Sequence, residues 1–190
     1  MSARLGAFAT AGAFQLTQDI ASRIAAEIPS ADGGIVAEET LALVAVLTAR
    51  AVEVGAPSDD GAAAALLALP DLVRDYFVGA AMLADPDGAG ARVHAAGHDR
   101  ERTARKGAFY EAHFPAGQFP GPSALADKLP LWMGRVSGPG LPDSPDARLA
   151  RMDLTGDITT HLRLVLAFAR QPAPGAPPAT STPAASPSAG

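Results

Sequence analysis

From Leu16 onward, large aliphatic residues return at every fourth position: Leu16, Ile20, Ile24 and Ile28. A repeat of that kind lines one face of an α-helix. It predicts a first helix from about Ala3 to Ile28, ended by Pro29 and the loop PSADGG. A second helix is expected from Ile35 to about Val54, stopped by Gly55 and Pro57. Its apolar positions, Val36, Thr40, Leu43, Val44, Leu47, Ala51 and Val54, cover a broad arc and leave Glu39, Arg50 and Glu53 on a narrow wet strip. An arc that wide needs neighbours on more than one side, so this helix belongs at the centre of a bundle.

The next stretch, GAAAALLALPDLVRDYFVGAAMLADPDG, reads as a short Ala/Leu helix, a break at Pro70 and a further helix to Ala84. Ser58, Asp59 and Asp71 suit helix N-termini, where a side-chain oxygen meets free backbone N–H groups and the positive end of the helix dipole. Glu38-Glu39 and Asp59-Asp60 are read in the same way, as dipole partners. In the helix to Ala84, Leu72, Tyr76, Gly79 and Leu83 form one stripe; Val73, Phe77, Ala80 and Ala84 form the next. DPDG is a turn signal. Another helix, VHAAGHDRERTARKGAFYEAHF, follows and closes at Phe114-Pro115, because a residue before proline avoids helical angles.

Seven prolines between Pro115 and Pro145 argue against a long regular helix there, with room only for a short one at Ser123–Leu129. A final helical pair is expected at Ser144 to Met152 and at Thr155 to about Arg170. The last twenty residues, QPAPGAPPATSTPAASPSAG, have no charge and few bulky apolar side chains, which predicts a disordered tail over 171–190. The expectation is therefore all-α: a single-domain helical bundle of five to seven helices over 1–170, with a Pro/Gly-rich loop or lid at 115–145.

Composition supports this. Hydrophobic residues are 48% of the chain but aromatic ones only 5%, so the core is built mainly from Ala, Leu and Val. Thirteen Arg against two Lys, with abundant Ala, Gly and Pro, has the look of GC-rich, bacterial-type coding. A net charge of −5 argues against a general nucleic-acid binder. The absence of cysteine removes disulfides, thiolate metal sites and cysteine nucleophiles, and fits a reducing cytoplasm. Ala9-Thr10-Ala11 resembles a signal-peptidase site, but the run before it is diluted by Ala, Gly and Thr, so a cytoplasmic setting is preferred over secretion. No uncharged apolar stretch reaches the ~18 residues of a membrane span.

Motifs that name a reaction are missing: no phosphate loop, no Gly-x-Ser-x-Gly elbow, no His-Glu-x-x-His, and no Glu-x-x-His pair of the kind di-iron bundles use. No cofactor is expected. What remains is the Val93–Phe114 stretch. His94, His98, Glu101 and Arg105 fall within an arc of about 60°. His-x₃-His sets two imidazoles one turn apart, with Glu101 a turn further on, so a divalent metal is the alternative reading of that face. From Arg92 to Lys106 there are five basic and two acidic residues; the rest of the chain has ten basic and eighteen acidic. That local ridge of Arg92, Arg100, Arg102, Arg105 and Lys106 suits an anion or the acidic surface of another protein.

A bland reading stands beside it: a small apolar face (Val93, Ala96, Gly97, Ala104, Gly107, Ala108, Phe114) packs inward while the His/Arg face is merely wet, Glu101 pairing with Arg105. His113 then acts as a C-terminal cap and His161 pairs with Asp157. Trp132, in LPLWMGRV, is a second candidate for partner contact, unless its segment folds back over the bundle as a lid. The leading expectation is a non-catalytic protein-interaction module, an adaptor, assembly factor or small subunit. Its rival is a metal- or anion-binding bundle, an enzyme among the options.

Overall fold

The computed structural model describes residues 2–58, 60–84, 89–137 and 144–171, with side chains throughout except at 2, 80–82, 84 and 89–99. All regular structure among the described residues is helical: α1 (Ser2–Glu27), α2 (Gly33–Gly55), α3 (Asp60–Leu67), α4 (Leu69–Ala84), α5 (Ala89–His113), α6 (Pro122–Ser137), α7 (Pro145–Met152) and α8 (Leu154–Ala169). The expected disordered tail lies outside the described residues, apart from Gln171.

α2 is the axis of the bundle. It touches α1, α3, α4, α5, α6 and α8, and every residue from Glu39 to Val52 is buried. A helix apolar all round is one that neighbours enclose. Alanines at 42, 45, 49 and 51 let those neighbours approach closely. α1 lays the stripe Leu5, Ala9, Ala13, Leu16, Ile20, Ile24 and Ile28 against it. Asp32 caps α2 by accepting the Ile35 N–H at 3.0 Å. Of the narrow wet strip expected on α2, only Glu53 is partly exposed; Glu39 and Arg50 are each 3% exposed. Both are buried because oppositely charged or carbonyl partners from other helices cover them.

The Pro/Gly-rich segment also departs from expectation. α6 is a regular helix of 16 residues that runs through Pro130. A proline inside a helix costs roughly 3 kcal/mol through its lost N–H and ring clash. Leu125, Leu129, Trp132, Met133 and Val136, all buried at helical spacing, offset that loss. Trp132 is fully buried, so its ring belongs to the core and is not a surface anchor.

The turn between α7 and α8 is tight. Ser144 caps α7 through the Ala147 N–H, and Asp153 ends it in the left-handed region at φ 50° while its N–H reaches the Leu149 carbonyl. Arg23 bridges α1 to this corner, donating to Asp157 and to the Met152 carbonyl.

Candidate functional site

The basic stretch on α5 is only partly a free surface. Lys106 is buried and its ammonium donates to Glu38 at 2.5 Å; Arg102 donates to the other oxygen of Glu38 at 3.1 Å. Arg100 sits 3.6 Å from Asp75 on α4 and is 68% exposed. Glu101 and Arg105 both face solvent, and the expected ion pair between them is not formed. Much of the ridge is thus matched to acids of its own fold. Arg92, His94 and His98 lie on α5, but their side chains fall outside the described residues. Among the described residues no group of three His, Cys, Asp or Glu is gathered that could hold a metal ion.

The small apolar face expected to pack inward on α5 does so only in part: Phe114 is buried and Gly107 partly so, but Ala104 and Ala108 are exposed, and the side chains of Val93, Ala96 and Gly97 lie outside the described residues. Lys106 and Tyr110 are buried instead, because α2 holds carboxylates for them. Glu39 is the centre of that arrangement. Arg135 on α6 grips it with Nε at 2.8 Å and a terminal nitrogen at 2.7 Å, and the Tyr110 hydroxyl donates to it at 2.5 Å. Lys106 stands 3.8 Å away, and the Arg135 guanidinium lies 4.5 Å over the Phe109 ring. Burial alone would raise the Glu39 pKa, but the bonds from Arg135 and Tyr110 and the charges of Arg135 and Lys106 prevail and lower it. Burial, then the Glu39 carboxylate, drives the Tyr110 phenol far above its usual range. With its oxygens engaged by three donors, Glu39 ties α5 and α6 to α2 rather than offering a free base. Glu39 is not a dipole partner at a helix start but lies inside the bundle.

A second node sits about three turns further along the same strip of α2. Arg50 donates from Nε to the Phe114 carbonyl at 2.8 Å, closing the end of α5, and also pairs with Glu53 and Glu111. Glu53 in turn accepts the Gly117 N–H at 2.9 Å. An open groove of about 420 Å³ runs beside it, lined largely by Ala56, Ala63, Ala64 and Leu67. His113 donates from Nδ1 to the Phe109 carbonyl at 2.7 Å, one turn back. His161 does not pair with Asp157. It is half-buried against Thr48, whose hydroxyl donates to the Val44 carbonyl and so accepts from His161 Nε2 at 3.0 Å. Burial holds that imidazole down at about 4, so it is neutral near pH 7.

The feature that packing leaves unexplained is on α4. Leu72, Tyr76, Phe77 and Leu83 are 60%, 72%, 64% and 85% exposed, four large apolar or aromatic side chains on one helix of 16 residues. The other exposed ones are scattered, and Phe8 is covered on one side by Phe168, stacked at 4.3 Å. α4 meets α2, α3 and α5, with Leu69 buried and Val73 packed against the core, while Arg74 bonds Asp71 and Asp75 within the helix. The stripe Leu72–Tyr76–Gly79–Leu83 is visible in the sequence. Its direction is not, since an apolar stripe normally faces the core.

Comparison with family models, with curated proteins and with solved structures finds no match to this chain.

Proposed function

We propose that the protein is a non-catalytic helical interaction module that engages another protein chain through the exposed face of α4. The supporting observation is the exposure of four large apolar or aromatic side chains on this one helix, Leu72, Tyr76 and Leu83 along one stripe and Phe77 on the next. Contiguous apolar surface is unfavourable in water, and on a folded protein a patch of this kind marks a contact site. Tyr adds a rigid body with a polar tip, a type favoured in contacts that open and close. Arg100 at the junction of α4 and α5 supplies a charged rim, which suits a partner with acidic groups beside its apolar ones.

A metal- or anion-binding role draws less support. Arg102 and Lys106 are engaged with Glu38, and Glu39 is saturated by its own fold. No helix among the described residues is long and apolar enough to cross a membrane. A cytoplasmic setting fits the absence of cysteine.

The test is the size of the native assembly in gently lysed cells, comparing wild type with the pair Tyr76→Glu and Leu83→Glu. The reading expects the wild type to run larger than the 19.2 kDa chain and the double variant to lose that assembly while keeping its helical content. Equal sizes for the two would count against it.

A further inference from the structure

We propose that His161 and Asp157 form an acid-operated latch on the seam between α1 and α8. Neutral, the His161 ring is held by Thr48; as an imidazolium it turns to Asp157, which then lets go of Arg23. The neutral form is set by the Thr48 hydroxyl, which gives its proton to the Val44 carbonyl. The ring therefore carries its hydrogen on Nε2, and its lone pair is on Nδ1. That edge of the ring lies against α1. A Cβ on Gly12 would stand 2.9 Å from Cε1 and 3.4 Å from Nδ1, so the glycine is what lets the ring in.

A second proton must go on Nδ1, where it faces α1 at Gly12. The α1 carbonyls are engaged in their own helix, so the charged ring gives up water there and gains no new acceptor. Burial is the cause that holds the ring down at about 4. The charged groups around the seam are all committed while the ring stays in place. On α1, Asp19 and Arg23 follow Gly12 along one stripe; Asp19 accepts from Gln15, and Arg23 donates to Asp157 and the Met152 carbonyl. On α2, Arg50 is engaged with Glu53 and Glu111, and Glu38 and Glu39 with Lys106 and Arg135. On α8 the acid is Asp157 itself.

Asp157 is where an imidazolium at 161 finds an acceptor. An acid four residues before a cation lies one turn away on the same helix face. Asp157 is 44% exposed, so the pair forms at the surface, where the charged ring also regains water. In the neutral form Asp157 accepts from Arg23, which ties α8 to α1. One proton therefore undoes two ties of α8, the one to Thr48 and the one to Arg23. The pairing that the spacing of Asp157 and His161 predicts is thus the acid form of the seam. With the ring at about 4 when held and 6.5 when free, the loosened seam gains roughly fourfold in population at pH 6 and roughly 25-fold at pH 5, relative to pH 7.5. The pair with Asp157 adds about a further twofold.

The test follows amide hydrogen exchange of the full chain from about pH 7.5 to about pH 5, corrected for the pH dependence of exchange itself. Opening of α8 in the wild type should rise at least roughly 25-fold over that range, while α5 and α6, tied through Glu39, should rise less than about threefold. His161→Gln keeps an N–H for Thr48 but takes up no proton, and should abolish the rise. Asp157→Asn should raise opening at neutral pH, because Arg23 loses its acceptor, and cut the rise about twofold. An equal rise in every helix overturns the proposal, since His161 would then be coupled only to unfolding of the whole chain. A rise that persists in His161→Gln, or one that Asp157→Asn leaves unchanged, overturns it too. Should His161→Gln fail to fold, the comparison of α8 with α5 and α6 in the wild type still decides.

Discussion

Arg135 on α6 holds Glu39 on α2 with two nitrogens, at 2.8 and 2.7 Å, across a separation of 96 residues in the chain. Glu39 is 3% exposed, and the same carboxylate takes the Tyr110 hydroxyl of α5. One acidic side chain therefore fastens two helices to the central one. Glu39→Ala strands a guanidinium, a phenol and the nearby Lys106 ammonium without their acceptor. The expected loss is about 3 kcal/mol, at the low end for a broken buried pair because Arg135 is partly hydrated. Urea unfolding of the variant beside wild type at pH 7 checks it; a loss below about 1 kcal/mol would contradict the tethering role.

His161 makes stability depend on pH in a stated window. Its pKa is about 4 in the folded protein against 6.5 for the free side chain. The unfolded chain thus binds a proton that the folded one refuses, so stability falls as pH drops from about 6.5 to 4 and that contribution levels off below. The loss is about 3 kcal/mol when complete. Glu39, whose pKa is lowered, adds its own loss only as pH falls below the unfolded value of 4.5. Unfolding free energies at pH 7.5, 6, 5 and 4 should show the first decline in wild type and not in His161→Gln.

Two glycines should respond in opposite ways to alanine. A Cβ at Gly55 would lie 2.5 Å from the Ala169 Cβ and 3.3 Å from the Leu166 carbonyl, where α2 meets α8. Gly55→Ala must push those helices apart, at a cost of about 2 kcal/mol. That is roughly 4–8 °C in melting temperature for a chain of this size. Gly79→Ala enters open space on an exposed helix and should gain up to about 1 kcal/mol from helix propensity. Thermal melts of both at dilute protein separate packing from propensity; a neutral Gly55→Ala would refute the close contact.

The basic residues of α5 divide into internal and external ones. Lys106→Glu sets a buried anion against Glu38 and Glu39, and should cost more than about 2 kcal/mol. Arg105→Glu, on the solvent side, should change stability by less than about 0.5 kcal/mol. Similar losses from both would mean that the ridge is a single structural unit.

The architecture was legible because its signals are local. The four-residue repeat of Leu16 to Ile28, the breakers Pro29 and Pro70 and the cap Ser144 each act within a few residues of the boundary they set. The helix through Pro130 was not legible, because what sustains it is the burial of Leu129, Trp132 and Met133 against distant helices. The site was harder still. Glu39, Tyr110 and Arg135 meet only in three dimensions, and no spacing in the chain announces the meeting. Periodicity assigns Ala104 and Ala108 to the core and Lys106 to a wet ridge, and the partners held by α2 reverse these three. On α4 the stripe of Leu72, Tyr76 and Leu83 was plain, yet only the fold shows which side of it the bundle occupies.

The most direct test of the account is photo-cross-linking in living cells from a reactive side chain placed singly at Tyr76, at Leu83 and, as control, at Gln18 on the exposed side of α1. The account predicts discrete cross-linked protein products from positions 76 and 83 and none from 18. Products no more frequent from α4 than from Gln18 would contradict it.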